Sequence, residues 1–143
     1  MSSFTFTAGA NGINNGSIDL LVDEITVMLV TELPDPDADS IATFSELRVG
    51  GYRPQTLSGK SVTREGRRSV FRASDPSPWT LALGGEVAGA VIREQATPLF
   101  FLDTRTREFP GGPLRGIPTN GSTFTIEFHA DGIAYTEQLM AEV

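Results

Sequence analysis

Residues 24–31, Glu24-Ile25-Thr26-Val27-Met28-Leu29-Val30-Thr31, decide the fold class of this chain. The stretch is rich in β-branched residues and apolar at consecutive positions, so an extended strand built from it is apolar on both faces. Such a strand belongs in the middle of a sheet that is covered on both sides. Glu24 to Thr31 is expected to be the core strand of a β domain.

Other strands are expected around it. Ser3 to Thr7 alternates polar and aromatic residues, with Phe4 and Phe6 on one side of an N-terminal strand or arm. Ser122 to His129 alternates most cleanly: Phe124, Ile126 and Phe128 share one face, and Thr123, Thr125, Glu127 and His129 share the other. Glu86 to Arg93 and Leu99 to Asp103 read as two more strands. Leu57 to Thr63 and Ser69 to Ala73 form a hairpin pair joined through Glu65-Gly66, and Trp79 to Leu83 follows the proline-rich turn at Asp75 to Pro78. Asn11-Gly12 and Asn14-Asn15-Gly16 mark turns. One helix is expected, over Ser40 to Arg48, because Ile41, Phe44 and Leu47 recur at spacings of three and Gly50-Gly51 follows.

Seven to nine short antiparallel strands with one short helix amount to an all-β chain, a β-sandwich or jelly-roll-like barrel. The 143 residues fit a single domain, and the 15 glycines and 9 prolines are spread along the chain instead of marking one linker. With 39% hydrophobic and 20% charged residues the composition is that of a folded chain. The N-terminus lacks the basic start and apolar run of a secretory signal, and no apolar run approaches the roughly 20 residues that span a bilayer. A net charge of −7 opposes a nucleic-acid role. No membrane and no nucleic-acid partner is expected.

Motifs that could carry chemistry are few. There is no cysteine, so no disulfide, thiolate metal site or cysteine nucleophile is available. His129 is the sole histidine, and no G-x-S-x-G elbow accompanies it; neither a catalytic residue nor a cofactor or metal is expected. Asp35, Asp37, Asp39 and Glu46 occupy positions one, three, five and twelve of a calcium loop. Ser40 stands where that loop needs glycine and Pro36 interrupts it, so the expectation is a solvated acidic loop. Gly59-Lys60-Ser61 matches the end of a phosphate-binding loop, but Pro54 takes the place of its first glycine and a strand follows. Asn15-Gly16-Ser17 and Asn120-Gly121-Ser122 fit the glycosylation acceptor pattern, yet without a secretory signal they read as turns.

Charge is segregated. Arg48, Arg53, Lys60, Arg64, Arg67, Arg68 and Arg72 follow directly on the acidic stretch from Asp35 to Glu46. Arginine is favoured at interfaces because its planar fork pairs a carboxylate at two points, so the hairpin region is a candidate docking surface for a partner or for another copy of the chain.

The chain also resembles a family of small tailed-phage virion structural proteins. The resemblance runs through Gly16-Ser17-Ile18-Asp19-Leu20, Asp23 to Val30, Gly51-Tyr52, Leu57 to Thr63, the Phe71, Asp75 and Trp79 segment, Gly89-Ala90-Val91-Ile92, and Gly121 to Ile126. It covers most of the chain, on core and turn residues. Thr26 departs from it, standing where a basic residue is common, as does an insertion from Arg105 to Pro118 around Pro110-Gly111-Gly112-Pro113. The resemblance implies a non-enzymatic protein of a bacteriophage virion assembled in the host cytoplasm: a capsid cement or decoration protein bound to the major capsid protein, as a homo-oligomer such as a homotrimer. The interface residues expected are Arg64, Arg67, Arg68 and Arg72 of the hairpin and Arg105, Arg107 and Arg115 of the loop. Two other classes stay open. One is a tail, baseplate or fibre protein that meets a host glycan through an exposed Trp79 or Tyr135; the other is a hydrolase, for which no nucleophile is recognisable.

Overall fold

The computed structural model describes residues 3–107, 109–129 and 132–137, the last three by their backbone. It is an all-β chain with one short helix, and every strand pair is antiparallel. A five-stranded sheet has the order β1-β9-β8-β2-β3. Its members are β1 (Phe4–Thr5), β2 (Ile25–Val30), β3 (Gln55–Thr56), β8 (Gly89–Glu94) and β9 (Thr97–Asp103). Three small sheets accompany it. They pair β4 (Ser61–Glu65) with β5 (Arg68–Arg72) and β12 (Ala134–Glu137), β6 (Trp79–Thr80) with β11 (Thr123–Phe124), and β7 (Glu86–Val87) with β10 (Ile117–Pro118). The strands outnumber the seven to nine expected because half of them are two-residue pieces, too short to leave a periodic signal.

Strand β2 sits where its two apolar faces require. Ile25, Val27 and Leu29 enter one buried cluster with Phe71, Trp79 and Val87 from the small sheets and with Leu81 just after β6, while Met28 and Val30 enter a second with Phe6, Val91 and Phe101. The small sheets thus pack across one face, and the N-terminal segment with Ile41 and Phe44 covers the other. Fully enclosed side chains such as Phe6, Phe101 and Ile25 each contribute about 2–3 kcal/mol of burial. The rings of Phe6 and Phe44 stack at 5.5 Å, and Phe4 meets Phe6 edge-on at 4.9 Å.

Two expectations are corrected. The segment 40–48 is not a helix: a single 3-10 turn at Ile41–Thr43 is followed by extended chain in which Glu46 bridges Val30. Ile41 and Phe44 belong to the second cluster and Leu47 to the first, so these residues serve opposite faces of the sheet, which one helical face cannot do. The helix is instead α1 (Thr7–Asn14), where turns were expected. Its Gly9 lies so close to β9 that a Cβ there would stand 2.6 Å from the Leu99 Cα. Ser122 to His129 keeps its alternation in burial, with Ile126 buried and Thr123, Thr125, Glu127 and His129 exposed, but only Thr123–Phe124 is paired.

The outer edge of β2 is completed by a side chain. β3 covers Thr26 and Val27, and the Glu46 bridge covers Val30, leaving the Leu29 N–H between them. The Tyr52 hydroxyl fills that gap, accepting from Leu29 N–H at 3.2 Å and donating to the Glu46 carboxylate. Burial, reinforced by the Glu46 hydrogen bond, pushes the phenol well above its ordinary value. Removing the hydroxyl leaves a buried donor unpaired, so Tyr52→Phe is expected to cost about 1–3 kcal/mol in urea melts near neutral pH. In the unfolded chain Tyr52 loses its proton near pH 10. The folded chain retains the proton there, so the unfolded state binds fewer protons and wild-type stability falls as pH climbs from about 10 upward. The Phe variant is expected to lose that part of the decline; an identical slope in both proteins would refute the role.

Candidate functional site

Most of the arginines named from sequence lie on one element, the β4–β5 hairpin. Its turn is Gly66-Arg67, with a φ of 64° at Gly66 and none above zero at Arg67, the pattern of a type II′ turn that needs glycine first. At the base Val70 and Phe71 are buried, and Phe71 packs 6.2 Å from Phe100. Toward the turn both strands leave the core: Val62, Thr63, Arg64 and Glu65 of β4 are exposed, as are Arg67, Arg68 and Ser69.

Within the hairpin, Arg72 forms an ion pair with Glu65 and donates to Thr63 Oγ1 at 3.0 Å. The Arg72 hydrogen bond lowers the Glu65 carboxyl below its usual range, with a second bond from Thr63 acting in the same direction. Arg64 donates from Nε to the Gly66 carbonyl at 3.3 Å and is otherwise turned outward on an exposed strand. Lys60, at the base, donates to the Asp23 carbonyl at 2.5 Å, and Ser61 opens β4; Gly59-Lys60-Ser61 is a strand entry here and makes no phosphate cradle.

The other three arginines lie on the loop from Arg105 to Arg115. Thr106 and Arg115 close it with reciprocal backbone bonds of 2.9 and 2.8 Å. Inside, the Gly112 N–H donates to the Phe109 carbonyl, and Arg107 reaches the Gly112 carbonyl at 3.4 Å. Phe109 is 59% exposed, an apolar tip that sequence reading missed for lack of any periodic context. Arg105 is committed within the chain: it grips the enclosed Asp103 carboxylate through Nε at 3.1 Å and Nη2 at 2.8 Å. The same contact raises the Arg105 pKa. Arg107 and Arg115 are exposed. Four of the seven arginines thus lie on the hairpin and three on the loop that follows β9.

The other candidates disperse. Asp35 accepts from the Asp37 N–H and Asp37 from the Thr7 hydroxyl, both at 2.9 Å, whereas Glu46 is engaged by Tyr52. Among the described residues, no group of three or more His, Cys, Asp and Glu side chains is gathered to hold a metal ion. Asn15 and Asn120 each accept from the N–H two residues on, as turn residues do. His129 is exposed. Trp79 is only 2% exposed and its indole N–H donates to the Arg53 carbonyl at 2.8 Å, so it is a core residue and not a glycan platform. Tyr135 lies in β12 opposite Val70, and its side chain falls outside the described residues. No helix among the described residues is long and apolar enough to cross a membrane.

Against this geometry, comparison with family models, curated proteins and solved structures returned no match.

Proposed function

We propose that this chain is a non-catalytic structural protein of a tailed-phage virion, a cement or decoration protein that binds the outside of the mature shell. The observation that supports this best is the β4–β5 hairpin. It carries Arg64, Arg67 and Arg68 on a stretch that contributes nothing to the core, while Val70 and Phe71 at its base anchor it. The strand pair fixes the backbone from which the guanidinium groups project, so binding orders side chains alone, and their planar forks suit bidentate contact with carboxylates of the major capsid protein. The action is passive. Many copies, each binding across neighbouring shell subunits, bury surface between those subunits and oppose internal pressure, with multivalency compensating for modest single contacts.

Sedimentation tests the reading. The purified chain, mixed with mature shells and separately with tails of the phage that encodes it, is expected to pellet with shells. Reversing Arg67 and Arg68 together to glutamate is expected to abolish pelleting while leaving the melting temperature within a few degrees, since surface substitutions of this kind usually shift stability by only about 0.5 kcal/mol each. Failure of the wild-type chain to bind shells overturns the shell assignment, and binding to tails alone moves the protein to the tail.

A further inference from the structure

The open edge of β4 carries more information than its charge. In the order β12-β5-β4, strand β4 has no neighbour on its outer side among the described residues. The two-residue turn makes Glu65 and Arg68 a mutually hydrogen-bonded pair, and bonded and non-bonded pairs then alternate down the ladder. Thr63 and Ser61 therefore bond to β5, and Val62 and Arg64 direct their N–H and C=O groups outward. An edge of this kind is a template for another strand.

What fits the template is decided by the residues beside it. Val62 is 41% exposed and lines an apolar cavity of about 440 Å³ together with Ile13, Ile18, Leu21, Phe71 and one carboxylate, Asp19. Opposite Val62, the best occupant presents a long cationic side chain that lies across the apolar mouth and ends at Asp19. The strand itself carries such a residue at Arg64.

We infer that β4 pairs antiparallel with β4 of a second copy of this chain, about a two-fold axis through Thr63. In this register Val62 faces Arg64 of the second copy and exchanges both backbone bonds with it, and the contact repeats across the axis. Ser61 faces Glu65 of the second copy and Thr63 faces Thr63, so no like charges lie opposite one another. Shifting the axis by one residue sets Arg64 against Arg64 or Lys60 against Arg64, which like-charge repulsion disfavours. Each Arg64 guanidinium then reaches the Asp19 of the other copy over the cavity mouth. The contact is isologous, as a two-fold requires. It is also small, at the low end of specific interfaces, so the dissociation constant is expected on the order of 10–100 µM.

The absence of cysteine makes a direct test simple. Facing residues at a non-hydrogen-bonded antiparallel position have Cα atoms about 4.5 Å apart, within disulfide reach. Under mild oxidation Thr63→Cys is expected to give a disulfide-linked dimer at least about tenfold faster than Val62→Cys, whose partner position is 64 and not 62. Light scattering of the wild-type chain is expected to show mass rising from one copy toward two with concentration. Arg64→Glu is expected to weaken that rise at least about tenfold, and Asp19→Asn, which keeps the oxygen that caps the Leu21 N–H, severalfold. Equal cross-linking at 62 and 63 overturns the register. A monomer at millimolar concentration, or a trimer built on unlike surfaces, overturns the two-fold pairing. These measurements contain no shell, so they stand or fall separately from the proposed location on a virion.

Discussion

Gly9→Val is expected to destabilise the chain by about 3 kcal/mol or more, and Gly9→Ala by about 2. The reason is backbone contact. α1 lies on β9 with Gly9 against Pro98 and Leu99, and an added Cβ would stand 2.6 Å from the Leu99 Cα and 2.7 Å from the Pro98 carbonyl oxygen. Neither atom can rotate away, because Leu99 is held within β9 and its carbonyl also accepts from the Phe6 N–H at 2.9 Å. The helix must therefore lift, and the packing of Phe6 and Phe101 beneath the N-terminal segment loosens with it. Gly12 supplies the control. A Cβ there meets side-chain atoms and no backbone, Ile18 Cδ1 at 2.4 Å and Cγ1 at 2.9 Å and Ser17 Oγ at 3.4 Å, while alanine gains up to about 1 kcal/mol of helix propensity over glycine. Thermal or urea melts of the two alanine variants are expected to separate by 1 kcal/mol or more in favour of the Gly12 variant. Equal effects would show that α1 does not rest on β9 as described.

The second large effect lies at the Asp103–Arg105 pair. The Asp103 side chain has no solvent exposure, whereas the Arg105 side chain keeps 19%. Arg105→Ala removes the counter-charge from an enclosed carboxylate, which keeps the backbone N–H of residue 105 among its donors. A cost of about 2–4 kcal/mol is expected. Asp103→Asn leaves the guanidinium free to turn toward solvent and is expected to cost less, about 1 kcal/mol. The double variant is expected to be more stable than Arg105→Ala alone, because the enclosed group is then neutral. Urea denaturation of the three variants checks the order, and additive losses would mean that the two side chains act independently.

How far the fold was legible depended on whether a local pattern had one structural meaning. Residues 24–31 could bury consecutive apolar side chains only between two layers, and they do. The β4–β5 hairpin was legible from strand residues on either side of Gly66, and the positive φ there shows why glycine stands at the turn. Residues 40–48 misled because a spacing of three suits a helix and equally suits a chain passing from one face of a sheet to the other. Residues 7–14, Thr-Ala-Gly-Ala-Asn-Gly-Ile-Asn, contain two glycines and two asparagines, poor helix formers by themselves. Their helix exists because small residues let it rest on β9, and that neighbour lies about ninety residues away in sequence.

The candidate site divides in the same way. That arginines crowd the middle of the chain is evident from composition along its length, but which of them are committed is not. Arg105 and Arg64 look alike in sequence; one is bound to an enclosed carboxylate two residues away, and the other projects from an exposed edge. The role of Tyr52 left no signal, since its partner N–H on Leu29 became available only through the spacing between β3 and the Glu46 bridge. By itself, then, the sequence determined the all-β class, the two-sided central strand and the hairpin turn at Gly66, because strand period and turn chemistry act within a few residues. The tertiary structure decided where the helix forms, the order β1-β9-β8-β2-β3 and that Arg105 grips an enclosed carboxylate while Arg64 lies on an exposed strand. Each of those depends on contacts between distant segments, whose close packing sets which groups are buried and which remain to meet a partner.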